Sequence, residues 1–153
     1  MNDLRTRALF DISLSLHPVQ ELGATPLGKR RIVPVAGGTF KGERLSGIAL
    51  PAAAADWILV RNDGSVQLDV RLTLKTDDDA LIYMQYRGVR HSSPAVAERL
   101  ARGEQVDPAE YYFRTSPFFE TGSAKYAWIN NIVCVAVGER LPSAVRYNVF
   151  EIL

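Results

Sequence analysis

Carboxylates, arginines and aromatic rings recur at strand spacing along this chain, and these are residue types that move protons and hold small organic molecules. In SVQLDVRLTLKT, Gln67, Asp69, Arg71 and Thr73 alternate with Val66, Leu68, Val70, Leu72 and Leu74. Side chains of a strand point alternately to its two faces. The polar row is therefore either a solvated exterior or, where a barrel encloses a ligand, part of a polar-lined pocket. In a pocket, Asp69 would serve as a base and Arg71 would stabilise developing negative charge. Both would need partners there, because an unpaired buried ion is costly. In YYFRTSPFFETG, Arg114 shares a face with Tyr112. A guanidinium among aromatics can clamp a carboxylate or stack on a ring, and a structural ion pair with Glu120 or Asp69 is the plainer alternative. Glu120 follows two phenylalanines that would desolvate it and raise its pKa towards the range of a general acid or base. An exposed turn carboxylate is the other reading.

KYAWINNIVCVAVGER reads as a strand on which Trp128 and Asn130 share a face with Tyr126, Ile132 and Cys134. An indole beside a carboxamide suits a flat organic ligand, and an amide on such a face must find a partner in backbone, water or ligand. Trp57 is a second candidate ring, although tryptophan also serves as core. Tyr83 and Tyr112 are candidate proton donors. Cys134 lies in the apolar run IVCVAV and reads as a buried thiol. His17 and His91 stand at expected loops without metal-ligand companions. The chain holds no HExxH, no phosphate-cradling glycine loop and no GxSxG elbow, so zinc hydrolysis, nucleotide binding and α/β-hydrolase chemistry lack their minimal parts. No metal and no cofactor is expected.

The elements that must position these residues are mostly strands. ALFDISLSLH alternates from Ala8 to Leu16 with Asp11, Ser13 and Ser15 between. A proline- and glycine-rich stretch follows, then RRIVPV and the turn-like AGGTFKG. DWILVR reaches Asn62-Asp63-Gly64, a strong hairpin signal, and an acidic turn at 77–80 joins the next pair. Glycines inside strand-like pieces (Gly37, Gly38, Gly42 and Gly47) mark bulges or sharp bends. SSPAVAERLARGE is the one helix pattern, with Ser93 as N-cap, Pro94 at the first position and Gly103 at its end. The reading is all-β: about nine or ten antiparallel strands closed into a barrel, with one short peripheral helix. Closure is favoured over a sandwich because it removes strand edges and leaves room for a small ligand.

The 153 residues fit one domain spanning 1–153. With 47% hydrophobic and 23% charged residues the chain can build a core, which argues against disorder. The net charge of +1 comes from Lys and Arg scattered among Asp and Glu, which argues against nucleic acid as a partner. No stretch approaches the ~20 apolar residues of a membrane span, and the N-terminus lacks a leader pattern. A cytoplasmic protein without membrane contact is expected.

The phrases GGTFKGERLSG, ADWILVRNDGSVQLDVRLTLKTDDDALIYM with YRG, YYFRTSPFFETG and YAWINNIVCVAVG extend in order from about Gly37 to Gly138. Together they resemble DUF3237, also labelled UPF0311, a bacterial and fungal family of unknown function. The resemblance implies a lipocalin-like or calyx-shaped barrel but no general chemistry. It keeps Asp69 and Arg71 within a matching phrase, which favours the pocket reading. The sequence departs from the family pattern at Asp77-Asp78-Asp79-Ala80, where an acidic residue plus glycine is usual; this alters a turn and leaves the strands intact.

Two functions compete. One is a cofactor-independent lyase, isomerase or cyclase acting on an aromatic or carbonyl compound. Asp69 or Glu120 would be its base and Tyr112 or Tyr83 its proton donor. Arg71 or Arg114 would hold negative charge, and Trp57, Trp128 and Asn130 would orient the ring. The other is a non-catalytic small-molecule binding protein with nearly the same residues. A barrel filled by its own side chains, with function at an oligomer interface, is a third reading. A small organic ligand is the expected partner, and a homodimer is the working expectation for assembly. All of this requires Asp69, Arg114, Trp128 and Asn130 to converge on one hollow.

Overall fold

In a computed structural model, which describes residues 3–153, the alternation becomes one antiparallel sheet of ten strands. These are β1 (Thr6–Leu16), β2 (Gln20–Thr25), β3 (Gly28–Lys41), β4 (Ser46–Ala49), β5 (Ala55–Val60), β6 (Val66–Thr76), β7 (Leu81–His91), β8 (Tyr112–Glu120), β9 (Cys134–Leu141) and β10 (Ala144–Ile152). The order runs β1-β10-β9-β8-β7-β6; β4 and β5 then follow one another along the free edge of β6, and β3 pairs with both before returning to β1. The result is a closed barrel of eight strand positions. The stretch read as a proline- and glycine-rich interruption instead forms β2, which extends β3 into a hairpin beyond the barrel wall.

AGGTFKG is not a turn but the second half of the long β3. Gly38 is needed there for close approach: a Cβ would stand 2.1 Å from the Ser13 carbonyl oxygen of β1. The Asn62-Asp63-Gly64 turn takes the expected form. Gly64 adopts φ +85°, and the Asp63 carboxylate accepts from the Ser65 amide at 2.9 Å. The helix α1 (Pro94–Ala101) starts at Ser93, whose hydroxyl accepts from the Val96 amide, and Gly103 follows with positive φ.

Period two decides what lies inside. On β6 it is the apolar row Leu68, Val70, Leu72 and Leu74 that is buried. The barrel then divides along its axis. At one end, between the β3–β4 and β6–β7 turns, Phe10 packs its ring against Phe40 at 5.2 Å and Phe119 at 5.8 Å. Each such side chain withdrawn from water is worth roughly 1.5–3 kcal/mol. Glu151 closes this end as a buried carboxylate. Its pairs with Arg7 and Arg44 outweigh the burial that would raise it and hold its pKa below the usual range. Arg44 in turn lies over the Trp128 ring at 4.1 Å. The other end sets charged and phenolic groups among aliphatic side chains.

Candidate functional site

The polar end is built by strands whose inward rows begin apolar and finish charged. On β7 the row is Ile82, Met84, Tyr86, Gly88 and Arg90; on β9 it is Cys134, Ala136, Gly138 and Arg140; β10 brings Tyr147. β5 brings Asp56, only 8% exposed. These groups project into a hollow whose remaining wall is apolar, formed by residues such as Leu14, Val35, Leu68, Val70 and Phe113, with about 30 Å³ of room for water centres. That holds one or two waters. Above it lies a larger vestibule of about 270 Å³ on the same measure. Arg31, Arg90, Arg140, His91 and α1 residues Ala97 and Leu100 line it, and it shares both inner arginines with the hollow.

A gap in the ladder holds Asp56 in place. β5 pairs Asp56 with Val70 and resumes pairing only at Leu59 with Gln67. Between them the Asp69 amide donates to Asp56 Oδ1 at 3.1 Å. Burial pushes the Asp56 carboxyl from 3.8 up to about 7. The Asp69 amide and the charges of Arg90 and Arg140 pull it down, and the Asp69 carboxylate pushes it up. Tyr86 and Tyr147 meet edge to face at 5.1 Å. Burial raises both phenols well above their ordinary pKa.

The two inner guanidiniums are desolvated. Burial lowers Arg90 to about 10, with the like charge of Arg140 adding to the effect. Arg140 is lowered by burial and then by Arg31. Among the described residues neither has a carboxylate within 4 Å, and Arg140 Nε is buried without a partner. Arg31 is paired with Glu21 at 2.9 Å. Phe113 stacks on Tyr147 at 5.4 Å and lies 5.8 Å beneath Arg90.

None of the residues singled out from the sequence lines this hollow, and the expected convergence does not occur. Asp69 and Arg71 face outward because the apolar row of β6 takes the interior. The Asp69 carboxylate lies 3.8 Å from Arg87, and among the described residues its Oδ1 has no partner. Glu120, Tyr112 and Arg114 occupy the outer row of β8, where Arg114 stacks on Tyr112 at 5.0 Å. Tyr83 is on the outer row of β7, bonded to Gln85. Trp57 is 38% exposed, one residue from Asp56 and on the opposite face. The strand expected at KYAWINN is a short 3-10 helix, Ala127–Asn131, so the shared face of Trp128 and Asn130 does not exist. Trp128 packs at the apolar end under Arg44, and Asn130 braces a loop through two bonds to the Thr121 backbone. Cys134 is buried and its thiol pushed up to about 12, which fits an inert core residue.

The fold places the chain in the class of closed antiparallel β-barrels. The family model described as "Protein of unknown function (DUF3237)" matches residues 4–152. The chain belongs to this family. A UPF0311 protein of Rhodopseudomonas palustris is 36% identical over 150 residues, covering 98% of this chain and 97% of the relative. A crystal structure of a conserved protein of unknown function from the same species superposes with TM-score 0.96 at 35% identity over all of both chains. A β-barrel-like protein of Acinetobacter baumannii gives 0.86 at 42% identity, over 100% and 98% of the two chains. A structure described as an enzyme from Penicillium herquei gives 0.73 at 17% identity, over 100% and 97%, and shares the fold alone. Among the described residues no helix is long and apolar enough to cross a membrane.

Proposed function

We propose that the chain is a cofactor-independent acid–base enzyme, of lyase, isomerase or cyclase type, acting on a small carbonyl or aromatic compound at the polar end of the barrel. The observation that carries this reading is Asp56, a carboxyl enclosed with two phenols and titrating near 7. A general base works best when its pKa lies near the ambient pH, whereas a carboxylate locked to arginine would mark a passive pocket. Among the described residues Asp56 has no arginine within 4 Å. In its ionised form it takes a proton from a carbon next to a carbonyl: the C–H bond breaks, its electron pair forms the enolate, and the new O–H bond is on Asp56. Tyr86 and Tyr147 stay protonated at neutral pH and are hydrogen-bond donors for the enolate oxygen. Return of the proton from Asp56 to another carbon, or its transfer to a leaving group as that group departs, completes the turnover and restores the carboxylate.

Exchange of the α-protons of 2-tetralone in D2O at pH 7.5, followed by proton NMR, tests this. The wild-type chain should accelerate exchange over buffer, with a rate that rises through about pH 7. Asp56→Asn should lower the rate at least ~100-fold, the lower range for a positioned base. No acceleration, or full retention in Asp56→Asn, would overturn the reading. A thermal shift with 2-tetralone but no exchange would favour the non-catalytic binding protein.

A further inference from the structure

The mouth of the barrel poses a problem that the acid–base chemistry does not solve. Arg90 and Arg140 end the inward rows of two strands and repel one another. Neither finds a carboxylate within 4 Å among the described residues, and Arg140 Nε has no partner at all. A half-buried charge with no carboxylate in contact is a standing cost to the fold. Both side chains line the hollow and the vestibule together, so they stand between the two. Arg31 adds a third positive group at the rim, partly neutralised by Glu21. Nearby, the Arg140 amide donates to the Tyr111 hydroxyl; burial raises that phenol above its ordinary pKa, so it stays neutral and offers no counter-charge.

We propose that this arginine pair binds the acid group of an anionic ligand, a carboxylate or its equivalent, and so favours organic acids whose reacting carbon extends inward towards Asp56 over neutral carbonyl compounds, which reach Asp56 without that anchor. Guanidiniums suit the task because their planar forks match a carboxylate and they remain charged at any working pH. The vestibule, about nine times roomier than the hollow by the volumes above, takes the bulk of the ligand. The proposal rests on the reading of this end of the barrel as the site, but not on proton transfer taking place there.

Calorimetric titration at pH 7.5 with benzoate, and with benzamide as its neutral counterpart, tests the proposal. Benzoate should bind the wild-type chain at least tenfold more tightly than benzamide. Arg90→Gln and Arg140→Gln should each lower benzoate affinity at least tenfold and erase the preference, while Arg102→Gln on the outer surface leaves both unchanged. Loss of an unpaired desolvated charge should also raise the Tm of Arg140→Gln, whereas an arginine with a purely structural role would lower it. Asp56→Asn should keep benzoate binding, so loss of tetralone exchange with benzoate binding intact separates the two readings. Equal binding of benzoate and benzamide, no benzoate binding at 20 mM, or an equal loss in Arg102→Gln would overturn the proposal.

Discussion

At the scale of the residue, Asp56 couples chemistry to stability, and the sign of that coupling can be measured. Unfolded, its carboxyl titrates at the ordinary value of 3.8; folded, at about 7, because burial outweighs the Asp69 amide and the attraction of Arg90 and Arg140. Asp69 repels it, and Tyr86 and Tyr147 face it as neutral phenols. Between the two values the native state keeps a proton that the unfolded chain releases. The contribution of Asp56 to stability is therefore complete below about pH 4 and is lost as the pH rises through about 7. A displacement of that size corresponds to on the order of 4 kcal/mol. Asp56→Asn keeps an acceptor for the Asp69 amide without the ionisation. Its stability relative to wild type should climb between pH 4 and 7 and level off above 8, read as the difference in Tm at each pH. Glu151, whose pKa is lowered, gives an opposite slope in both proteins and cancels in that difference. A difference that stays flat from pH 4.5 to 8 would remove Asp56 from the role.

At the scale of the element, the site depends on one strand yielding room to its neighbour. Gly138 sits on the inward row of β9, where Phe113 of β8 lies across it: a Cβ there would stand 1.7 Å from the ring. Phe113 is fixed from the other side by Tyr147. Gly138→Ala must drive the ring into the hollow, at an overpacking cost of about 1–3 kcal/mol. A lower urea midpoint and weaker benzoate binding are expected, and an unchanged midpoint would contradict the account. The same rows explain what was legible beforehand. Alternation identified β1 and β6, turn residues the hairpin at Gly64, and capping residues the ends of α1, because each is encoded within about ten residues. It also contained Arg90 and Arg140, as charges that continue rows opened by Ile82 and Cys134, but no local signal says which rows finish at the same end of a barrel. Asp56 was hidden by its neighbour Trp57, whose ring drew attention to the wrong face of a short strand. KYAWINN carries β-forming residues yet turns as a 3-10 helix, because Ile129 and Tyr126 bury there against the barrel end. Local propensity was overridden by tertiary packing.

At the scale of the whole molecule, the barrel separates the part that holds it together from the part that does chemistry. β1 closes the ring by pairing with β10 on one edge and β3 on the other, so closure joins the two ends of the chain and depends on contacts distant in sequence. The aromatic cluster of Phe10, Phe40 and Phe119 and the Glu151 clasp secure the end at which β1 starts and β3 finishes. None of these residues lines the hollow at the other end. Stability can then be drawn from hydrocarbon, while the opposite end tolerates desolvated arginines and a buried acid. Phe40→Ala puts this division to the test. Phe40 is 2% exposed and packed on Phe10, so truncation should cost about 3–5 kcal/mol in urea unfolding. Effects at separated sites add with little coupling. At a temperature where the variant is still folded, its benzoate affinity should therefore stay within about threefold of wild type. A large loss of affinity would mean that the two ends communicate through the wall, and that the polar end owes its geometry to the packing of the apolar one.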